Sequence, residues 1–352
     1  MNFFQKTTLL LACIFAFAKC TPPFDNPTPT THIEFRYGVY VLCEGVYGAG
    51  SSSVSWYNLT KSEVTNDIFH HLNNDENLGD VAQSMRVIGD KLYIVVNNDG
   101  KIVKVDPVTF KKLGEIKGFD SPRYIIPINS TQAYVSNLVL SNGTTAIQKV
   151  DLTTNQIIAR IPMQFAEQMQ QVPADNNAVW TGISNTNWLL RINTTTDNVT
   201  DTVRLSDSPK YIFLDKNNVS LWVVCEGNYN NGTPSICRIN TLTKQIEQRF
   251  DLPQGANTIA AVSYSAKYDC FYYVYDSKIW KMNISDTQLP AAPFASSGFT
   301  TPYGLGVSAT GDVYVGDAID YASKGKVVVF KADGSLKTSF NVGFLPNGFL
   351  FQ

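Results

Sequence analysis

The chain has 352 residues, 44% of them hydrophobic and only 16% charged, with 28 Lys+Arg against 30 Asp+Glu and a formal net charge of -2. That length supports a substantial core in one large or two ordinary domains and excludes a peptide or a disordered tail. Near-neutral charge without long basic runs excludes the footprint of a nucleic-acid binder, and three histidines (His32, His70, His71) leave little material for a His-based metal or acid-base centre.

Lys6 precedes an apolar run from Leu9 to Ala18, followed by Cys20. A charged start with a short apolar centre is the pattern of an export signal over residues 1–20, too short to span a bilayer. Cys20 just after that run resembles the lipobox of bacterial lipoproteins, which implies acylation there. Lys19 departs from the lipobox, which carries a small residue at that place, and Ala16-Phe17-Ala18 would also suit ordinary signal cleavage. The expectation is an exported protein, lipid-anchored at the outer membrane or cell surface, touching the membrane only through that lipid. Simple secretion or a periplasmic location is the alternative. Pro22, Pro23, Pro27 and Pro29 among threonines then predict an extended tether over residues 21–36.

From residue 37 onward a repeat organises the chain. Apolar β-type runs recur at Tyr40-Val41-Leu42, Tyr93-Ile94-Val95-Val96, Tyr134-Val135, Val179-Trp180, Leu221-Trp222-Val223-Val224, Phe271-Tyr272-Tyr273-Val274 and Val313-Tyr314-Val315. After six of these comes an alternating strand that ends on an Asx residue: Asn58, Asp106, Asp151, Asn193, Asn240 or Asn283. The Asx side-chain oxygen accepts from backbone N–H groups two residues on, so each Asx nucleates a turn into a further strand. A third signal precedes the aromatic runs, as in residues 81–87, 122–128, 169–172, 209–214, 258–262 and 302–307. Four short strands per repeat of about 45 residues predict an all-β, seven-bladed propeller with four antiparallel strands per blade over residues 37–352. Residues 345–351 match the first-strand signal that is missing before Tyr40, so the C-terminal strand is expected to close the ring inside the N-terminal blade, leaving a monomeric ring without a free edge.

The Val-Asp-x-x-Thr turns and Tyr-Val strands resemble the bacterial YVTN-type (YncE-like) propellers. The segments Gly38-Val39-Tyr40-Val41-Leu42-Cys43-Glu44-Gly45, 79–85 and 92–98 are similar to a family of outer-membrane surface lipoproteins that includes the cobalamin-capturing propeller BtuG. The resemblance implies a non-enzymatic binding protein. Its ligand would be a small molecule, with a corrinoid the concrete case, and its partner a TonB-dependent outer-membrane transporter.

Loops leading into the innermost strands, with those between second and third strands, meet on one face of a propeller. The first set places Gln83, Arg123, Gln168, Lys210, Thr258, Tyr303 and Asn347 there. The second adds Glu44, Tyr47, Asn97, Asn98, Asn137, Asn187, Trp188, Glu226, Tyr229, Tyr275, Asp317, Asp320 and Tyr321. Amides, aromatics and a few charges are suited to a polyfunctional ligand, although amides in such loops also serve turns. Cys43-Glu44-Gly45-x-Tyr47 recurs as Cys225-Glu226-Gly227-x-Tyr229, which ranks Tyr47 and Tyr229 first among the aromatic contacts. Asp317 and Asp320 with Glu44 lack any Ca²⁺-loop motif, and neither a metal nor a cofactor is expected. Cys43, Cys225 and Cys270 lie in or beside apolar strands and read as buried thiols; Cys225 and Cys237 flank a hairpin-like loop whose spacing permits a disulfide without establishing one. The alternatives to ligand capture are a protein- or glycan-interaction platform and, ranked last, a lactonase-like or lyase-like propeller enzyme.

Overall fold

In the computed structural model, residues 34–138, 146–163, 165–227, 232–253 and 259–352 are described. The proposed signal, Cys20, most of the tether, Thr258 and Tyr229 lie outside them. Seven antiparallel sheets form a propeller, six with four strands and one with three. The innermost strands are Pro346–Phe351, Ala82–Ile88, Pro122–Pro127, Ala166–Val172, Pro209–Leu214, Val262–Ser265 and Pro302–Val307 for blades 1 to 7.

The unbroken apolar runs follow from how the blades pack. Side chains of a strand alternate between its two faces, and in a propeller both faces of each sheet meet a neighbour. In the second strand of blade 1, Val39, Val41 and Cys43 pack with Tyr314 and Val327 of blade 7. Tyr40 and Leu42 point the other way, joining Ile94 and Val103 of blade 2. Each of the seven apolar clusters spans two adjacent blades, and together they run round the ring.

Closure occurs as the repeat predicts: Pro346–Phe351 pairs antiparallel with Gly38–Cys43, Val39 opposite Phe351 and Leu42 opposite Gly348. The Asx turns also form. Asn58, Asp106, Asp151, Asn193 and Asn240 each accept from the backbone N–H groups two and three residues on, at 2.7–3.2 Å.

The structure departs from expectation at two places, the fourth strand of blade 6 and Phe35. Among the described residues blade 6 has no fourth strand, because the stretch after Asn283 carries Pro290 and Pro293, which cannot donate to a ladder; Ala295 there forms an isolated bridge to Ile279. Phe35, expected in the extended tether, is buried against Tyr40, Trp56 and Phe110. Cys225 and Cys237 are free buried thiols; the ladder sets Cys225 opposite Ser235 and Cys237 opposite Val223, so they are diagonal neighbours. His70 and His71 sit on a one-turn helix, Ile68–Leu72. Among the described residues no helix is long and apolar enough to cross a membrane.

Candidate functional site: the mouth of the central channel

The innermost strands share a local irregularity that builds the site. In blade 2 Ala82 pairs with Val96 and Ser84 with Val95, leaving Gln83 as an extra residue. The same slip isolates Arg123 in blade 3, Lys210 in blade 5, Tyr303 in blade 7 and Asn347 in blade 1, and sets Glu167 and Gln168 of blade 4 against Gly182. A bulge of this kind kinks the strand and re-aims one side chain. Repeated around the ring, it turns a circle of such side chains toward the axis. They line a cavity of about 430 Å³ together with Glu44, which stands at the end of the second strand of blade 1.

Three carboxylates and two cations organise this mouth. Arg123 donates to Gln83 Oε1 at 2.6 Å and to Glu167 Oε2 at 3.3 Å, and Glu167 is almost wholly buried. Lys210 donates to Glu226 Oε1 at 2.7 Å and lies over the Tyr211 ring. Tyr303 donates its hydroxyl to Glu44 Oε2 at 2.5 Å, and Asn347 adds a longer bond to the same oxygen at 3.4 Å. Asn347 also ties the ring together by donating to the carbonyls of Ala82 and Gln83.

The shared environment shifts Glu44, Glu226, Arg123 and Lys210. Burial raises the Glu44 carboxyl above its ordinary range, against the opposing pull of Tyr303 and Arg123. Burial raises Glu226 likewise, despite Lys210. For Arg123 and Lys210 burial acts downward but is outweighed, by Glu167 and its neighbours in one case and by Tyr211 and Glu226 in the other, so both cations hold their protons more tightly. The mouth is therefore a preorganised, partly dry set of donors and acceptors, suited to a polar ligand with several functional groups.

Of the residues expected at this face, Glu44, Gln83, Arg123, Gln168, Lys210, Tyr303 and Asn347 converge on the cavity, with Glu226 behind Lys210. Tyr321 stands at the rim, exposed and edge-on to Tyr303 at 5.9 Å. Tyr47 and Trp188 are exposed and do not line the cavity. Asn98 braces a turn by donating to Asp80 at 2.6 Å. Asp317 is fully buried, does not line the cavity, and accepts from the backbone N–H groups of Thr300, Thr301 and Ile319 as a structural cap. Asp320 caps its own turn. Among the described residues no three His, Cys, Asp or Glu side chains are grouped to hold a metal.

Sequence reading missed Glu167, Tyr124, Tyr211 and Arg86. Glu167 directly precedes Gln168, and the two-residue bulge of blade 4 decides which of them meets Arg123, a matter of register that periodicity does not reveal. Arg86 carried a visible signal: a charge within an innermost strand where blades 3 and 5 have Ile126 and Phe213.

Fold and site thus define a seven-bladed propeller with a charged, hydrogen-bonding channel mouth. The chain belongs to the family described as "Domain of unknown function (DUF5074)", which matches residues 37–352. No curated protein sequence matches it. Among solved structures it is similar to a quinonprotein alcohol dehydrogenase-like protein from Bacteroides thetaiotaomicron, at TM-score 0.70 and 16% identity over 90% of this chain and 79% of that one. It is also similar to the periplasmic gluconolactonase PpgL of Pseudomonas aeruginosa, at TM-score 0.68 and 14% identity over 89% and 99%. A functionally unknown protein from Desulfotomaculum acetoxidans gives TM-score 0.63 and 16% identity over 90% and 98%. At such identities the likeness concerns the fold alone.

Proposed function

We propose that this protein is a non-enzymatic, lipid-anchored surface protein that captures a small polar nutrient at the channel mouth and passes it to a TonB-dependent outer-membrane transporter. The observation that carries the reading is the ring of bulge side chains, one from each of six blades, aimed into a single cavity. Such a ring presents many weak polar contacts to one molecule, which gives affinity and orientation without a reactive group. The resemblance to corrinoid-capturing propellers makes cobalamin the first ligand to try. In this reading it would lie across the mouth beside Tyr321 with one arm in the channel. Full-length protein mixed with cobalamin and desalted is expected to stay pink; a colourless protein fraction rejects the corrinoid. Labelling with a radioactive fatty acid, lost on Cys20→Ser, tests the anchor.

A second reading is hydrolysis of a lactone. Glu44 and Glu226, both shifted toward the protonated form by burial in a cavity that also holds two cations, are carboxyls placed to pass a proton to or from a bound molecule. Turnover of gluconolactone that disappears in Glu44→Gln would favour it over capture.

A further inference from the structure

We propose that Arg86 forms an oxyanion subsite inside the channel, taking a carboxylate or phosphate group carried by the captured molecule. The inference rests on the channel being the binding site, and it adds the chemical class of the group that enters it.

Three cations line the cavity: Arg86, Arg123 and Lys210. Two are committed at the mouth, Arg123 to Glu167 and Lys210 to Glu226. With Glu44 the mouth holds three carboxylates against two cations, a balance that attracts no anion. Arg86 differs. It lies three residues past Gln83 on the innermost strand of blade 2, deeper than the bulge ring, and lines the cavity with Met85, Ile126, Gln170 and Ile212. Among the described residues its guanidinium makes no hydrogen bond and no ion pair, and its side chain is open to the lumen. The channel wall encloses it enough to lower its basicity by burial alone, with no carboxylate acting in the other direction.

A charge placed in this way has no ion-pair partner in the fold to hold it. The buried Arg191 offsets its loss of water with a paired acid, Asp175 at 2.7 Å, whereas Arg86 faces the lumen without one. Its planar fork of N–H donors matches the two oxygens of a carboxylate or phosphate, and the low-polarity wall strengthens that contact relative to water. Gln170 of blade 4 adds an amide to the same cavity. The arrangement favours a ligand with a polar body that rests on the mouth and an anionic arm that reaches past it.

The test uses the full chain and two separate probes, inorganic phosphate and acetate, each followed by calorimetric titration and by the thermal midpoint. At least one probe is expected to bind with 1:1 stoichiometry, and Arg86→Gln to weaken it by about tenfold or more, the loss of a charge-assisted hydrogen bond. Arg86→Lys, which keeps the charge and loses the fork, should bind with intermediate affinity; it also carries the test should Arg86→Gln fail to fold. Phosphate binding with weak acetate binding points to a phosphate arm, and the reverse to a carboxylate. Equal binding by wild type and Arg86→Gln, or no saturable binding of either probe, overturns the proposal. Corrinoid retention unchanged in Arg86→Gln would leave the capture reading standing while removing this one, and phosphate binding lost in Arg86→Gln would uphold this one even if no corrinoid is retained.

Discussion

Deleting residues 345–352 should unfold the ring rather than trim it. The deletion removes the innermost strand of blade 1, whose pairing runs from Val39 opposite Phe351 to Cys43 opposite Pro346. About five ladder hydrogen bonds at a net of roughly 1 kcal/mol each give about 5 kcal/mol. Phe349, Leu350 and Phe351 are half-buried, and burying half of such a side chain contributes about 1 kcal/mol, so the three add about 3 kcal/mol. The sum, about 8 kcal/mol, is comparable with the whole stability of an ordinary domain, roughly 5–15 kcal/mol. The cut also exposes the fully buried strand Gly38–Cys43 as a new edge and removes Asn347, which ties Glu44 to the backbone of blade 2. Close packing adds to the loss: a Cβ on Gly316 would sit 2.0 Å from the Pro346 carbonyl oxygen, so blade 7 has no side chain to fill the gap. Urea unfolding followed by far-ultraviolet circular dichroism, with dye binding to exposed apolar surface, reads the outcome. A truncated protein that melts cooperatively within a few degrees of the full chain would refute the closure argument.

Two site variants test the electrostatics of the mouth. Tyr303→Phe removes the hydroxyl that donates to Glu44, and losing a hydrogen bond to a charged group, about 1.5–3 kcal/mol, should raise the Glu44 pKa by a further one to two units, roughly, as followed by carboxyl-carbon NMR; an unchanged titration contradicts the pairing. Because the folded Glu44 pKa already stands above its ordinary 4.5, its contribution to stability is fully present below that value and is lost as pH rises through the folded pKa, so this variant should move the upper edge of that window to higher pH. Glu167→Gln leaves Arg123 without its buried partner and should cost about 3 kcal/mol in urea unfolding, whereas adding Arg123→Gln should recover part of the loss; strictly additive costs would show that the two do not interact.

The repeat, the Asx turns and the closing strand were legible in the sequence because each follows from local chemistry at a fixed period. An apolar run buried on both faces, an Asx oxygen capping its own turn and a stray first strand at the C-terminus need no knowledge of distant contacts. Blade 6 shows the limit of such reading, since its prolines after Asn283 remove a strand that the period alone would supply. At the site, the residues leading into the innermost strands could be located, for bulges recur where the repeat places them. What each does could not, because partners come from other blades: Arg123 meets Glu167 from 44 positions away, and Tyr303 meets Glu44 across 259. Asp317 illustrates the opposite case, a loop carboxylate with the composition of a ligand that the fold consumes as a buried cap. Seven blades and one closed ring follow from side-chain alternation and turn chemistry alone. Which side chains face the axis emerges in three dimensions, since a bulge of one residue re-aims a side chain without altering the pattern around it.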